Sequence, residues 1–175
     1  PKGSQTNDPF WDTSASMLLS ALIFYLHYEA PEDEQNFAMV MEMLRAASIE
    51  DEEDPRPSPL DELFSELELS NPEHIALKYY RSYHSGSAKT LKSIQITLAA
   101  RLEKFNLESL ASLTLTDEME LPSLGEKKVA LFALIPDNDT SFNFLVSILY
   151  TQLFQQLFYA ADHIHKGSLP VPVHF

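Results

Sequence analysis

Two short runs of the sequence, at positions 89–90 and 117–118, carry residue types suited to nucleotide chemistry. A phosphate-binding loop needs two glycines, whose missing side chains let backbone N–H groups surround the phosphates, followed by Lys and then Ser or Thr. Lys89 is followed by Thr, but Tyr83 and Ala88 occupy the two glycine positions. The acidic pair 117–118 follows a segment in which two threonines dilute the apolar strand expected before a magnesium-binding carboxylate. We therefore expect a solvated linker at the acidic pair, and neither run to form a nucleotide site.

The sequence also contains few combinations of residues that could bind a metal ion or catalyse a reaction. His163 and His165 are two residues apart, a spacing that does not place both rings on one helical face, and no further ligands accompany them. Asp137 and Asp139 precede a predicted helix and are expected to cap it, although a nucleotide-adjacent role at a strand end remains an alternative. The sequence contains no cysteine and no recognisable Ser/His/Asp motif. We predict no catalytic residue, no metal site and no cofactor site in this chain.

Negative charge is concentrated in one segment of the chain. The 175 residues carry a formal net charge of -14, and residues 29–73 hold 15 acidic and 2 basic side chains. Within them, a run of five carboxylates precedes three prolines and predicts a solvated loop near 48–58. The run consists of Glu50, Asp51, Glu52, Glu53 and Asp54. These residues are candidates for docking a basic partner, and a purely solvating role is the alternative.

Positive charge follows directly, between residues 74 and 104, where six basic side chains face one acidic one. The segment 78–84 interleaves basic and aromatic residues, as surfaces that stack single-stranded nucleic acid do. Helical periodicity is expected to bury some of its tyrosines. The candidate DNA-contacting residues are Lys78, Arg81, Lys89 and Lys92. Because the chain as a whole is strongly acidic, DNA contact is the alternative to protein docking.

The N-terminal part of the chain is predicted to be a helical bundle. Ser or Asx residues stand before prolines at Pro9, Pro59 and Pro72, a pattern typical of helix starts. The apolar spacing predicts helices near 9–28, 32–47, 59–69, 72–84 and 87–105. The first helix is apolar on almost every side and is therefore expected in the middle of the bundle. Its apolar run is too short to span a membrane.

The character of the sequence changes near residue 121. An apolar run at 128–135 predicts a strand buried on both faces, a long helix is predicted at 140–161, and the apolar residues 169–175 predict a second strand. Strand, helix and strand form a βαβ unit. Because two parallel strands are not stable alone, we expect the chain to be a piece of a longer protein. The predicted fold is mainly α, with a helical bundle at 1–120 followed by a βαβ fragment at 121–175.

Several segments of the sequence resemble one family, the type IV coupling proteins of conjugative DNA transfer, also called TraG/TraD-like ATPases. The resemblance covers essentially the whole chain. The segments that carry it are 18–26 with Glu29-Ala30-Pro31, 35–37, 90–94, 99–102, 124–137 and 142–154. It implies that 1–120 is the all-α substrate-recognition domain and that 121–175 is part of a RecA-like P-loop ATPase domain, with the Walker A and Walker B motifs outside this chain.

The resemblance also implies a function. The parent protein would be a homo-hexameric ATPase at the cytoplasmic face of the cell membrane that binds ATP and Mg, whereas this soluble piece would hydrolyse nothing itself. Its partners would be the relaxase and accessory relaxosome proteins, the secretion-channel ATPases and inner-membrane components, with DNA contacted mainly indirectly. A DNA-translocating motor piece or a single-stranded DNA-binding domain are the alternatives.

Overall fold

The chain divides into two units, Pro1–Thr116 and Asp117–Phe175, and helices build the first of them. The structure is a computed structural model that describes residues 9–47, 56–135, 137 and 140–175. The helices of the first unit are α1 (Pro9–Glu29), α2 (Phe37–Ala46), α3 (Pro59–Ser70), α4 (Ile75–His84), α5 (Ala88–Arg101) and α6 (Glu108–Leu113), with 3₁₀ turns at Glu32–Glu34 and Glu103–Asn106. The predicted mainly helical fold is therefore confirmed.

Side-chain caps determine where most of these helices begin. Ser58 and Asp61 form a reciprocal capping box at the start of α3, with Pro59 in the first helical position. The side chains of Asn36 and Ser87 accept backbone N–H groups at the starts of α2 and α5. The predicted start of α4 at residue 72 is wrong, because the ring of His74 accepts the N–H of residue 76 and caps the helix there.

The core of the first unit lies along one side of α1, which packs chiefly against α4 and α5. Leu18 and Leu22 of α1 are completely buried. The neighbouring helices contribute buried leucines, isoleucine and phenylalanine to the same core: Leu60, Phe64, Leu67, Leu77, Leu91, Ile94 and Leu98. The apolar residues Leu91, Ile94 and Leu98 of α5 therefore face this core. Phe10, Ile23 and Tyr28 of α1 are exposed.

The second unit is built around α7 (Asn143–Tyr159), which continues into one π-helical turn. Leu121, Leu153 and Leu157 form a small buried cluster with partly buried Leu124 and Leu169. Gly125 has a φ of +89°, and a Cβ there would lie 3.1 Å from the Leu169 side chain. Both the backbone conformation and the close approach therefore favour glycine at this position.

The predicted βαβ unit is not seen in the described part of the chain; its helix alone is formed. Residues 128–135 and 169–175 contain no strand, and the side chains of Phe132 and Leu134 are 83% and 97% exposed. A strand of the kind predicted is stabilised by neighbouring strands and by cover on both faces, and the described part of the chain provides no neighbouring strand for either run.

Removal of the Phe64 side chain should strongly destabilise the first unit. The ring is 1% exposed and stacks on Tyr80 with centroids 3.9 Å apart. We expect Phe64→Ala to lower the free energy of unfolding by about 3–5 kcal/mol, since such truncations lose transfer energy and leave a cavity. Urea unfolding followed by circular dichroism measures the change. In the matched control Leu69→Ala, on the same helix at 88% exposure, we expect about 0.5 kcal/mol or less. Equal losses in the two variants would contradict this packing.

Candidate functional site

The predicted docking carboxylates, Glu50, Asp51, Glu52, Glu53 and Asp54, lie outside the described residues. The structure does describe the positions from which this segment departs and to which it returns. Ala47 follows the last turn of α2, and Ser58 caps α3. Both border one small cavity, whose other lining residues include Asp61, Tyr80, Tyr83, His84 and Gln95. We call these seven residues the polar cluster; two of them, Ala47 and Ser58, lie on either side of the acidic run 50–54 in the sequence.

Asp61 is the centre of hydrogen bonding in the polar cluster. One carboxylate oxygen accepts the backbone N–H of Ser58 at 2.7 Å and its hydroxyl at 2.8 Å. The other accepts the hydroxyl of Tyr80 and lies 2.9 Å from Nε2 of His84. Burial opposes ionisation of Asp61, but the bonds from Tyr80 and Ser58 and the nearby His84 outweigh it and lower the pKa of Asp61. The cluster therefore favours the carboxylate form and joins α3 to α4.

Gln95 joins the end of α2 to the same cluster. Its Nε2 donates to the carbonyl oxygen of Ala47 at 2.7 Å and to the hydroxyl of Tyr83 at 2.8 Å. Burial raises the pKa of Tyr83 to about 12, although the bond from Gln95 acts in the opposite direction. Burial and the bond to Asp61 raise the pKa of Tyr80 further. Both phenols therefore remain neutral hydrogen-bonding groups at physiological pH.

The polar cluster contains Ser, His and Asp side chains but lacks the geometry of a hydrolytic triad. A triad requires the histidine to face the serine hydroxyl and the aspartate to orient the histidine from behind. Here the hydroxyl of Ser58 and the ring of His84 both bond to Asp61. The geometry supports clamping of four helices, because Gln95 of α5 reaches Ala47 at the end of α2 and Tyr83 of α4, and Tyr80 of α4 reaches Asp61 of α3.

The four predicted DNA-contacting residues differ in their exposure and in their hydrogen-bond partners. Lys78 is exposed on α4 and Lys89 is exposed in the first turn of α5, whereas Lys92 is half-buried. Arg81 is exposed, but its guanidinium donates to Oε1 of Glu68 at 2.6 Å and to the carbonyl oxygen of Pro72 at 3.1 Å. Arg81 is therefore engaged in joining α4 to the end of α3.

The aromatic residues of segment 78–84 are mostly unavailable for stacking. Tyr80 and Tyr83 are 7% and 3% exposed, so the expectation that helical periodicity buries some of them is confirmed. Tyr79 is half-buried and stacks on Phe24 of α1, with centroids 5.5 Å apart. The sequence pattern did not identify this contact, although the spacing of Phe24 and Tyr28 on α1 is a signal for a surface aromatic pair.

The other residues that the sequence analysis considered for nucleotide or metal binding make local hydrogen bonds or ion pairs. Thr90 bonds to the cap of α5, and Asp117 accepts the N–H of Met119 in a loop. His165 pairs with Glu126, while His163 contacts the carbonyl oxygen of Tyr159. No group of three or more potential metal ligands occurs among the described residues.

The predicted capping of α7 is not observed where the structure describes it. The helix begins at Asn143, later than predicted, and its N-cap, Phe142, makes no side-chain hydrogen bond. Asp139 lies outside the described residues, and Asp137 is exposed. No helix in the described part of the chain has the length and apolar character needed to cross a bilayer.

The second unit contains an open apolar groove of about 760 Å³. The run 128–135, α7 residues Leu149 and Leu153, and the last residues of the chain line it. Apolar side chains of this run form most of its wall, together with the polar side chains of Lys127, Lys128 and His174.

Fold and side-chain chemistry together define a mainly helical, strongly acidic chain of two units. The family model described as type IV secretory system conjugative DNA transfer matches residues 1–175. The chain therefore belongs to the conjugative DNA transfer family. No curated protein and no solved structure gives a significant match.

The hydrogen bonds of Asp61 lead to a pH-dependent prediction. Because its pKa is lower in the folded state, the stabilisation is present above the unfolded pKa near ~3.9 and is lost as pH falls through the folded value. We expect Asp61→Asn to reduce the free energy of unfolding at pH 7 by about 1–2 kcal/mol, since a helix cap is weakened. The difference from wild type should shrink below about pH 4. Urea unfolding between pH 3 and 7 measures it.

The exposed neighbour Glu62 provides the matched control, because it lies on the same turn of α3 outside the polar cluster. Glu62→Gln should change stability little at either pH. If Asp61→Asn shows the same small change at pH 7, the clamping role of Asp61 is wrong.

Proposed function

We propose that the chain is the substrate-recognition part of a conjugative coupling ATPase. In this role it recruits a relaxase with its DNA, or an effector protein, to a type IV secretion channel. The family match supports the conjugative role. One observation carries the recognition role: 15 of the 26 acidic side chains fall within residues 29–73, beside only 2 basic ones. A surface of this kind attracts basic protein partners and repels nucleic acid.

The described part of the acidic segment supports the proposal. Glu32, Asp33 and Glu34 are exposed in the 3₁₀ turn after α1, and Glu62 and Glu66 are exposed on α3. Ala47 and Ser58, which lie on either side of the acidic run 50–54 in the sequence, both belong to the hydrogen-bonded polar cluster.

In the same proposal, 1–120 is the all-α domain and 121–175 belongs to the nucleotide-binding domain of the parent protein. The apolar run 128–135 supports this assignment, because a continuous run of apolar residues is typical of a parallel strand that is covered on both faces. The parent would bind ATP and Mg as a homo-hexamer at the cytoplasmic face of the membrane. Its other contacts would be secretion-channel ATPases and inner-membrane components, and this chain alone would not turn over ATP.

Neutralisation of the acidic run tests the recognition role. We expect replacement of Glu50, Glu52 and Glu53 by Gln, with Asp51 and Asp54 by Asn, to weaken binding to the relaxosome proteins of the same element at least about tenfold. The reason is loss of charge complementarity, which acts on association and is screened by salt. Biolayer interferometry at 50 and 300 mM salt measures it. The matched control neutralises five exposed carboxylates elsewhere: Glu103, Glu108, Asp117, Glu118 and Glu120. Unchanged binding in the first variant, or equal weakening in both, would contradict acidic docking.

Direct binding of single-stranded DNA is the second candidate function, and the exposure of Lys78 and Lys89 favours it. If it operates, Lys89→Glu with Lys92→Glu should weaken binding of a fluorescent oligothymidine at least about tenfold and should reduce its salt dependence, because phosphate contacts release counterions. Fluorescence anisotropy measures both quantities. Lys127→Glu with Lys128→Glu is the charge-matched control in the second unit. Affinity that is insensitive to the first pair would exclude this function for α5.

A further inference from the structure

Three aromatic rings form a stacked row on the surface of α1 and α4, which we call the aromatic patch. Phe24 stacks on Tyr79 at 5.5 Å with an interplanar angle of 22°, and on Tyr28 at 6.4 Å with an angle of 16°. Tyr28 is 59% exposed. The row is therefore open to solvent at its Tyr28 end.

Buried contacts hold the end of the row in place. The ring of His74 is buried, and Tyr28 packs edge-on against it with centroids 5.5 Å apart. Nδ1 of His74 accepts the N–H of Ala76 at 3.1 Å, and Nε2 lies 3.2 Å from Oε1 of Glu29. Because His74 is fixed on both sides, the Tyr28 ring has a defined support. A pre-positioned ring loses less conformational entropy when a ligand binds.

Carboxylates surround the same end of α1. Glu29 follows Tyr28 directly, and the turn Glu32–Glu34 is exposed. Gln35 fastens this turn by donating from Nε2 to the carbonyl oxygen of Ala30 at 3.0 Å. Burial, followed by the charges of Glu29, Glu66 and Glu34, raises the pKa of nearby Tyr25. Lys78, which precedes Tyr79 on α4, is exposed.

We propose that the aromatic patch and these carboxylates bind an arginine-containing basic segment of a protein partner. A guanidinium group stacks on aromatic faces and pairs with carboxylates in a fork geometry, so one arginine uses both features of this surface. A nucleic acid strand would use the rings alone, and its phosphates would be repelled by Glu29 and the 32–34 turn. The inference rests on the proposed function in taking the partner to be a basic protein.

The test uses the full chain and three labelled probes: a nine-residue peptide of alternating Arg and Gly, its Lys counterpart, and a nine-nucleotide oligothymidine. Fluorescence anisotropy gives the affinities. We expect the Arg peptide to bind most tightly, and Tyr28→Ala to weaken it about fivefold, the size of one exposed cation–π contact. Tyr159→Ala is the matched control, since Tyr159 is 57% exposed in the second unit. Its affinity for the Arg peptide should equal that of wild type.

Three results would overturn the inference: an unchanged Arg-peptide affinity in Tyr28→Ala, an equal loss in Tyr159→Ala, or tighter binding of the oligothymidine through Tyr28. Circular dichroism of each variant establishes that it is folded, and Tyr28→Phe, which keeps the aromatic face, should restore the affinity. Failure of the proposed function gives a different pattern. In that case the Arg peptide would still depend on Tyr28, while the relaxosome proteins would bind neither wild type nor the variant neutralised at 50–54.

Discussion

The packing of the helical unit depends on the contacts that Asp61 and the stacked rings of Tyr80 and Phe64 make between α3 and α4. The carboxylate caps α3 through Ser58 and accepts the hydroxyl of Tyr80 from α4. Tyr80 in turn stacks on Phe64, which fills the core between α3 and α1. One ionised group therefore determines where α3 begins and how α4 packs. It also bonds to Ser58, the cap of α3, which follows the acidic run 50–54 in the sequence.

High negative charge constrains this fold as well as its partners. Carboxylates that are close together repel each other, and the helical unit offsets some of this with exposed pairs between Arg45 and Glu42 and between Arg81 and Glu68. Exposed pairs of this kind contribute about 0–1 kcal/mol each, so they add little to the stability of the fold. Their larger effect is on function, because a paired Arg81 is a poorer phosphate ligand than an isolated arginine. The charge balance thus favours recognition of a protein over recognition of DNA.

Signals that depend on neighbouring residues predicted more of this structure than signals that depend on contacts between residues far apart in the sequence. Pro59 preceded by Ser58 correctly marked the start of α3, since a capping box depends only on neighbouring residues. The start of α4 was missed because histidine, a rare cap, replaces the Asn-Pro signal upstream. The strand predicted at 128–135 required partners that periodicity does not reveal. Likewise, Tyr79 meets Phe24 across two helices, and no spacing within one helix predicts that contact.

The central claim is that the acidic end of the helical unit, rather than the second unit, receives the partner. Hydrogen–deuterium exchange of the full chain, with and without the relaxosome proteins of the same element, tests this most directly. The account predicts slower exchange on binding at 27–36 and 48–58, with no change along α7. Protection confined to α7 or to 128–135, with none at 27–36 or 48–58, would contradict it.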